Sequence, residues 1–378
     1  MPYSASLRTA IGAVRAALEA NGLRRQSARF AEHGMHEPAP DAPLVLVACS
    51  GGRDSMALAA VTHIVCGMLG LRCGAAIVDH GLQDGSADVA RAAAERCRAL
   101  GLDPVAVQRV NVDGSCREGM EAAARDARYD ALADIAAACG ARAVLLAHTL
   151  DDQAETVLIG LARSGGLDAI TGMPAVTVRH AAGLTAAGLR FVRPWLNVTR
   201  AQTTAVCREL NLQWWDDPTN GDGVDAAAEL DGSYPLRSRI RHDLLPAMAR
   251  CYGRNPAASL AAGAASARID ADYLDRAAER LAARALTADD GRDSGRDAAS
   301  VRLDAGLLAG EHPALRRRVI VRALRKAGVP VAAVHVEAID RLIVDWHGQR
   351  PLALPSQCTA IRKGHVIEVC KDRRHANR

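Results

Sequence analysis

The chain has 378 residues, of which 49% are hydrophobic, 24% charged and 3% aromatic, and its formal net charge is +4. This length predicts two or three domains rather than one, and the composition excludes wholesale disorder. No apolar run approaches the roughly 18 residues of a membrane span. The first 25 residues mix Arg and Glu with Ala and Leu at helical spacing. They do not resemble a signal peptide, so we expect a cytoplasmic protein without a membrane segment.

Cysteine and arginine usage narrow the chemistry further. The 10 cysteines are scattered, and no two form a C-x-x-C pair. Scattered thiols are typical of a reducing compartment and provide no ready-made zinc or iron–sulfur site. Nearly all basic residues are arginine, since the lysines are only Lys326, Lys363 and Lys371. A codon bias is the simpler explanation, although arginine also equips a chain to bind phosphate in nucleotides or RNA.

The first half of the chain alternates short apolar runs with helical segments. A helix is predicted over 3–30, followed by a proline-rich link. Strands are then predicted at 44–49, 73–78, 104–110, 143–147 and 190–192, and helices at 55–69, 86–100, 117–139 and 151–161. Continuously apolar strands separated by helices predict an α/β fold with a parallel five-stranded sheet and helices on both faces. In such a sheet, ligands bind beyond the carboxyl ends of the strands.

The second half is less regular. A helix at 199–210 leads to an alanine-rich helical stretch at 236–285, and the charged, glycine-containing segment 287–300 is typical of a surface linker. Helices at 313–326 and 332–345 and short strands at 352–354 and 358–369 follow. The fold class is therefore an α/β domain, then a mainly helical domain, then a small α+β C-terminal part.

The sharpest local signal follows the first predicted strand. The chain turns directly into a helix through Ser50, Gly51, Gly52, Arg53, Asp54 and Ser55. Glycines let the backbone approach a ligand closely, and a helix N-terminus directs N–H groups at an anion. Neither a Walker A loop nor a dinucleotide fingerprint is present. From spacing alone, an ordinary capped strand–helix turn is about as good an explanation as a phosphate-binding loop.

A second cluster ends the fourth predicted strand and begins a helix. On that helix His148 and Asp152 would share a face, as would Asp152 and Glu155. Thr149 and Asp152 resemble a capping box, which explains part of the pattern without any function. It does not explain a histidine at a strand end beside two aspartates. Carboxylates beside a triphosphate suit Mg²⁺, and a histidine there could transfer a proton.

Weaker signals lie after the second strand and on the helix at 117–139. Asp79 and His80 end the second strand, where an adenosine would lie; otherwise they form a simple turn. Glu121 and Arg125 are spaced as a surface ion pair, and spacing alone favours that explanation. Arg128 lies on roughly the same side of the helix as Arg125 and could reach a phosphate instead.

Further basic and aromatic residues lie beyond the sheet. Arg193 begins a rigid connection, and Arg237, Arg239 and Arg241 form a close basic set. These arginines are either a solvated helix face or contacts to RNA phosphates. The pair Trp214–Trp215 is expected in the core or at a hinge, although an exposed tryptophan could stack on a base.

The loop S-G-G-x-D-S at 50–55 resembles the pyrophosphate loop of the PP-loop ATP pyrophosphatase superfamily, and all six positions match. The motifs taken in order resemble the tRNA(Ile)-lysidine synthetase family over roughly 44–246. They are the loop, VDHGL at Asp79, E-x-x-x-R-x-x-R-Y at Glu121, AHTLDDQAET at 147–156, R-x-x-G at Arg163, G-M at Gly172, R-P at Arg193, D-P-T-N at Asp217 and R-S-R-I-R at Arg237. The chain departs from the family pattern at Ser164, Ala169, Ile170 and Ser238.

The resemblance implies an ATP-dependent ligase that modifies the wobble cytidine of the isoleucine tRNA with a CAU anticodon. ATP adenylylates the cytosine C2 oxygen and releases pyrophosphate; the amino group of free lysine then displaces AMP and forms lysidine. The tRNA specificity changes from methionine to isoleucine. ATP is a substrate, tRNA and lysine are partners, Mg²⁺ is expected, and a homodimer is left open.

The resemblance also implies roles for particular residues. Catalytic candidates are Asp152, His148 and Arg128, and tentative Mg²⁺ ligands are Asp54 and Asp152. ATP would be bound by Ser50, Gly51, Gly52, Arg53, Asp54, Ser55, Asp79 and His80, and tRNA by Arg193, Arg237 and Arg241.

The expected domains are an N-terminal helical extension with its link (1–43), a PP-loop ATP-binding catalytic domain (44–215), a helical tRNA-contacting domain (216–286), a linker (287–300) and a small substrate- or tRNA-binding part (301–378).

Two alternative functions compete with lysidine synthesis. One rival is another PP-loop enzyme such as a tRNA thiolase, which the lack of C-x-x-C disfavours. A second rival is a non-catalytic nucleotide- or RNA-binding module, which would not need the cluster at His148–Glu155.

Overall fold

The computed structural model describes residues 3–32, 36–79, 81, 85–110, 117–180, 188–221, 223–225, 227–289 and 300–371. The chain divides into two compact units, Met1–Ala267 and Arg268–Arg378. No helix in these ranges is long and apolar enough to cross a membrane. The division into five segments that we expect from the sequence stays a prediction.

The first unit alternates strands and helices, as the sequence predicts. Its elements in chain order are α1 (Ala5–Ala20), β1 (Leu44–Ala48), α2 (Arg53–Leu69), β2 (Arg72–Asp79), α3 (Ser86–Ala99), β3 (Val105–Arg109), α4 (Arg117–Cys139), β4 (Ala141–Leu145), α5 (Leu150–Arg163), α6 (Leu167–Ile170), β5 (Val176–Arg179), β6 (Leu189–Val192), α7 (Arg200–Glu209), α8 (Leu236–Arg239) and α9 (Leu245–Tyr252), with a π-helical turn at Ile240–Leu244 between the last two. Helix α10 (Ala257–Ala285) contains the boundary between the units.

The central sheet has six strands in the order β3-β2-β1-β4-β6-β5, so the expected five-stranded parallel sheet is wrong in number and in type. The five predicted strands are all present and parallel, but β5 pairs antiparallel with β6. The sequence gives little sign of β5 because this edge strand has four residues that alternate between exposed and half-buried. A short edge strand needs no continuous apolar run.

Helix α1 is shorter than the predicted helix over 3–30. It ends at Ala20 because Asn21 caps it and Gly22 has a φ of +81°, and residues 21–27 are not helical. Its apolar stripe of Leu7, Ala10, Val14 and Leu18 is fully buried in the same core as helix α2. The N-terminal helix is thus part of the hydrophobic core of the first unit.

The second unit holds an antiparallel sheet in the order β7-β8-β11-β10-β9, packed with the C-terminal end of α10 and three further helices. Its elements are β7 (Leu286–Asp289), β8 (Ser300–Asp304), α11 (Ala305–Ala309), α12 (Pro313–Lys326), α13 (Ala333–Val344), β9 (Leu352–Leu354), β10 (Cys358–Lys363) and β11 (Val366–Lys371). Strand residues lie at both ends of the predicted linker 287–300, while residues 290–299 are outside the described ranges. The single strand expected at 358–369 is a hairpin that turns at Gly364.

The strand order positions the candidate site. From β1 the chain proceeds to β2 on one side, whereas β4 lies on the other side of β1. The loops that follow β1 and β4 therefore diverge from the same edge of the sheet, which is where α/β sheets bind ligands. Both strongest sequence clusters lie in these two loops.

Candidate active site

A cleft of about 770 Å³ lies at the carboxyl edge of β1, β2 and β4. One part of its wall is apolar, with Ala48, Ile77, Val78 and Leu132, and the rest is polar or charged. Most of the predicted nucleotide and catalytic residues line it, namely Ser50, Gly52, Arg53, Asp54, Ser55, Asp79, Arg128, His148 and Asp152. The cleft can therefore hold a ligand that is partly flat and apolar and partly anionic.

The loop after β1 is held together by its own serines. The Ser50 N–H donates to Ser55 Oγ over 3.2 Å, and the Ser55 hydroxyl donates to the Gly52 carbonyl over 2.8 Å. Gly52 is the N-cap of α2, so the main-chain N–H groups of the first turn of α2 point toward the loop. This arrangement is an anion site made from backbone and hydroxyl donors.

Gly51 cannot carry a side chain without distortion. Its φ is +80°, a region that L-residues rarely adopt, and an added Cβ would lie 3.0 Å from Ala93 Cβ on α3. The loop is thus packed closely against α3 through its backbone. The glycine that the sequence singled out is required by both conformation and space.

The segment 214–220 also belongs to the site, which the sequence analysis did not predict. The Trp215 N–H donates to the Gly51 carbonyl over 2.9 Å, and Trp215 forms a parallel bridge with Gly52. Asp216, Asp217 and Asn220 consequently line the cleft. The motif D-P-T-N gives a sequence signal, but no local pattern shows that it pairs with a loop 160 residues earlier.

Helix α5 begins with a capping box that also faces the cleft. The Asp152 carboxylate accepts hydrogen bonds from the Thr149 N–H and hydroxyl, each over 2.7 Å. Burial raises the pKa of Asp152, but the charge of Arg200 and the Thr149 donors outweigh it and lower that pKa. The Asp152 side chain therefore caps helix α5 and also lines the cleft. The capping explanation and the functional explanation of this cluster are both compatible with the structure.

His148 lies half-buried at the end of β4. Burial, together with the nearby charges of Arg193 and Arg128, lowers its pKa to about 3 although the Asp152 carboxylate raises it, so the imidazole is neutral at pH 7. Its Nδ1 atom is buried and has no hydrogen-bond partner. A neutral imidazole has a lone pair that can accept a proton, but with this low pKa it is an effective base only when a negative charge such as a phosphate lies beside it.

Glu155 lies behind Asp152 with its side chain 0% exposed. Arg241 binds it through two hydrogen bonds of 2.7 and 3.1 Å, and Arg237 lies 3.5 Å from the same carboxylate. Arg241 also lies 3.9 Å from Asp152. Two of the arginines predicted to bind tRNA thus hold the carboxylates of α5 in this structure, and a direct tRNA contact by either stays a prediction.

Arg200 is the charged residue that the sequence analysis missed. Its Nε lies 3.4 Å from Asp54 Oδ2, and its Nε and Nη1 are buried with no hydrogen-bond partner. Thr203 donates to the other oxygen of Asp54. Burial raises the pKa of Asp54 despite the charge of Arg200. Arg200 lies in no motif we singled out, and only the packing of α7 against α2 brings it to the cleft.

The remaining predicted residues divide into three cases. Asp79 is buried at the end of β2 and accepts the Gly81 N–H over 3.0 Å. His80 lies outside the described residues. Arg193 is 4% exposed and donates to Tyr129 Oη, Thr177 Oγ1 and the Pro174 carbonyl. In this structure the Arg193 guanidinium connects α4 to strand β5 and to Pro174. A tRNA contact by Arg193 stays a prediction.

The fold and cleft define a PP-loop ATP-utilising enzyme, and the PP-loop domain family matches residues 23–248. The TilS substrate binding domain family matches residues 303–367. The tRNA(Ile)-lysidine synthase of Bifidobacterium longum subsp. infantis is 53% identical over the full length of both chains, and that of Streptomyces coelicolor is 44% identical over 86% of this chain and 84% of its own. The chain therefore belongs to the tRNA(Ile)-lysidine synthase (synthetase) family.

Among solved structures, the U34-tRNA thiolase NcsA from Methanococcus maripaludis with its [4Fe-4S] cluster aligns with a TM-score of 0.49 and 15% identity. The alignment covers 68% of this chain and 78% of the thiolase.

Proposed function

We propose that the chain ligates lysine to the wobble cytidine of tRNA(Ile) with a CAU anticodon, using ATP. The observation that supports it best is the convergence of the S-G-G-x-D-S loop and the His148–Asp152 cluster on one cleft. In the first step, a bond forms between the cytosine C2 oxygen and the α-phosphorus while the bond to the β-phosphate oxygen breaks. In the second, the lysine nitrogen bonds to C2, AMP leaves, and the nitrogen loses a proton.

The loop at 50–55 holds the departing pyrophosphate in this proposal. The N-terminus of α2 supplies N–H donors, and Arg200 supplies positive charge from the side of α7. Arg200 fits this role because two of its donor atoms are buried and without hydrogen bonds. The apolar wall near Ile77 and Val78 receives the adenine, and Asp79 lies at the ribose end of that wall.

Arg128 and His148 lie beside the α-phosphate in this proposal. Arg128 offsets the negative charge that develops during adenylylation. His148 is neutral, and the negative charge of the bound phosphates raises its pKa so that it accepts the proton that the attacking amine loses. Asp152 orients His148 in this proposal. It keeps its own negative charge because its pKa is lowered.

We also propose Mg²⁺ with Asp54 and Asp152 as its protein ligands. Both carboxylates line the cleft, and the charge of Asp152 raises the pKa of Asp54, so a cation would relieve their repulsion. No group of three metal-ligating side chains occurs in the described ranges. This donor set fits Mg²⁺, which binds through one or two carboxylates together with substrate phosphates and water. The ion would neutralise phosphate charge.

Free lysine as the second substrate, a homodimer and a cytoplasmic location complete the proposal. The cysteines in the described ranges are all unpaired, which is typical of a reducing compartment. Sedimentation of the purified chain at micromolar concentration tests the homodimer: a mass near twice that of one chain supports it, and a monomer removes it.

The reaction is tested with purified protein, Mg-ATP, labelled lysine and a tRNA(Ile) transcript with a CAU anticodon. A second transcript carries U in place of the wobble C. Lysine retained on the first transcript, absent from the second and lost without ATP is the expected result. AMP formation without lysine retention would preserve adenylylation but reject lysine as the second substrate.

The site residues are tested in the same assay. Asp152→Asn and His148→Ala should reduce lysine incorporation by about a hundredfold or more, whereas Asp134→Asn, an exposed position on α4, should not. Full activity of either cleft variant would remove that residue from the proposed mechanism.

A further inference from the structure

The second unit displays an exposed tryptophan at the end of helix α13. Trp346 is 39% exposed, while Trp195 is fully buried and the other two tryptophans are half-buried. The chain is only 3% aromatic, so an exposed indole is a rare feature of this surface. Trp346 also lies within the residues 303–367 that match the substrate binding domain.

The indole is held by an arginine with fixed hydrogen bonds. The Arg362 guanidinium carbon lies 4.7 Å from the centre of the Trp346 ring. Arg362 donates to the carbonyls of Leu342 and Ile343 at the end of α13 and to that of Gly364. Because these three acceptors fix the guanidinium, the tryptophan is supported by a rigid positive plane.

The loop that carries Trp346 is itself ordered by hydrogen bonds. The His347 N–H donates to Gln349 Oε1 over 3.0 Å, and the Gln349 amide donates back to the Asp345 carbonyl. His347 is exposed beside the tryptophan. The conformation that presents the two rings is therefore set before any partner binds.

The surrounding charge favours an anionic partner. Residues 341–365 contain the cations Arg341, Arg350, Arg362 and Lys363 but one acidic residue, Asp345. Arg341, Arg350 and Lys363 are exposed. A preformed aromatic plane among cations is the combination that stacks on nucleobases while neighbouring residues contact phosphates.

We propose that Trp346, supported by Arg362, is a stacking site for an unpaired nucleobase of the tRNA substrate. The site lies in the second unit and binds the RNA independently of ATP. This inference rests on the proposed function only for the identity of the RNA. The proposed stacking contact is additional to the contacts that the PP-loop cleft makes with its substrates.

The test measures tRNA binding by the full chain without ATP or lysine, so a failure of the proposed reaction does not affect it. Trp346→Ala should weaken binding by about tenfold, and Trp346→Phe should retain most of the affinity. Tyr273→Ala is the matched control, because Tyr273 is an exposed aromatic residue of the same unit at 68% exposure.

Salt dependence separates stacking from charge. The Trp346→Ala variant should keep the wild-type slope of log Kd against log salt, while Arg350→Gln should reduce that slope. Binding of Trp346→Ala within twofold of the wild type, or a loss equal to that of Tyr273→Ala, would overturn the proposal. So would a change in sedimentation of Trp346→Ala with unchanged RNA affinity, since the tryptophan would then contact protein.

Discussion

The loops after β1 and β4 form two sides of one cleft, but they are built by different means. The loop at 50–55 relies on backbone: a glycine at φ +80°, main-chain N–H groups and two serine hydroxyls within the loop. The cluster on α5 relies on charged side chains, and its partners Arg200 and Arg241 come from distant parts of the chain. A backbone site depends on local conformation, whereas a side-chain site depends on tertiary packing.

This difference predicts different responses to mutation. Damage to the loop should reduce ATP use more than stability, because backbone strain at one residue costs only about 1–3 kcal/mol. Damage to the charged cluster should reduce stability as well, because an unpaired buried charge is costly.

Arg241→Ala should lower the free energy of unfolding by about 3–5 kcal/mol at pH 8. The reason is that Glu155 is fully buried and accepts two hydrogen bonds from Arg241. Burial already raises the pKa of Glu155, and loss of Arg241 raises it further. The folded variant then holds a proton that the unfolded chain releases, so its stability should fall as pH rises above about 4.5, the ordinary pKa of a glutamate.

Urea unfolding followed by circular dichroism measures this effect. The control is the double variant Glu155→Leu with Arg241→Ala, which removes the buried charge and should recover most of the lost stability. A loss below 1 kcal/mol in the single variant would mean that Glu155 does not carry a buried charge.

Gly51→Ala should lower kcat/KM for ATP by up to about a hundredfold and the free energy of unfolding by about 1–3 kcal/mol. The added methyl group requires a left-handed conformation and presses on Ala93. Gly67→Ala is the control, because Gly67 lies on α2 and a Cβ there meets nothing within 4 Å. Equal activities of the two variants would show that the loop does not need the left-handed conformation.

The same contrast explains how much could be predicted from the sequence. The five parallel strands, the loop and the residues His148 and Asp152 could be predicted because buried strands and helix starts leave local patterns. Strand β5 could not, since a short, half-exposed edge strand has no apolar run. The family resemblance then supplied the reaction, which no local pattern contains.

Arg200 and Trp215 could not be predicted for another reason. Each reaches the cleft through a contact between elements far apart in sequence, α7 with α2 and Trp215 with Gly51. Arg237 and Arg241 are a related case: their spacing left open a solvated helix face or contacts to RNA phosphates, and in the fold they bind the carboxylates of α5. Charge in a sequence does not identify the partner that tertiary packing provides.

His148 gives a prediction on pH. Its pKa is lowered to about 3 in the folded chain, against 6.5 for an ordinary histidine. The unfolded chain therefore binds a proton between these values that the folded chain does not, so stability falls as pH decreases below 6.5 and is unaffected above it. Between pH 6.5 and 5 the wild type should lose about 1.5 kcal/mol more than His148→Gln. Parallel losses in both proteins would mean that His148 titrates normally.

Ser238→Ala should have the smallest effect, a loss of about 1 kcal/mol in unfolding free energy. Ser238 is buried, and its hydroxyl donates to the Thr219 carbonyl over 2.8 Å. Thr219 lies in the segment 214–220, which pairs with the loop through Trp215, so this bond connects helix α8 to the segment that contacts the PP-loop. We therefore expect the KM for ATP to rise about twofold as well.

Ser164→Ala is the control for that prediction, since Ser164 also departs from the family pattern but is exposed. If Ser238→Ala loses stability while its KM for ATP is unchanged, the loop and the charged cluster respond independently. If both change together, the segment 214–220 transmits the packing of the charged cluster to the backbone loop, and the two sides of the cleft act as one site.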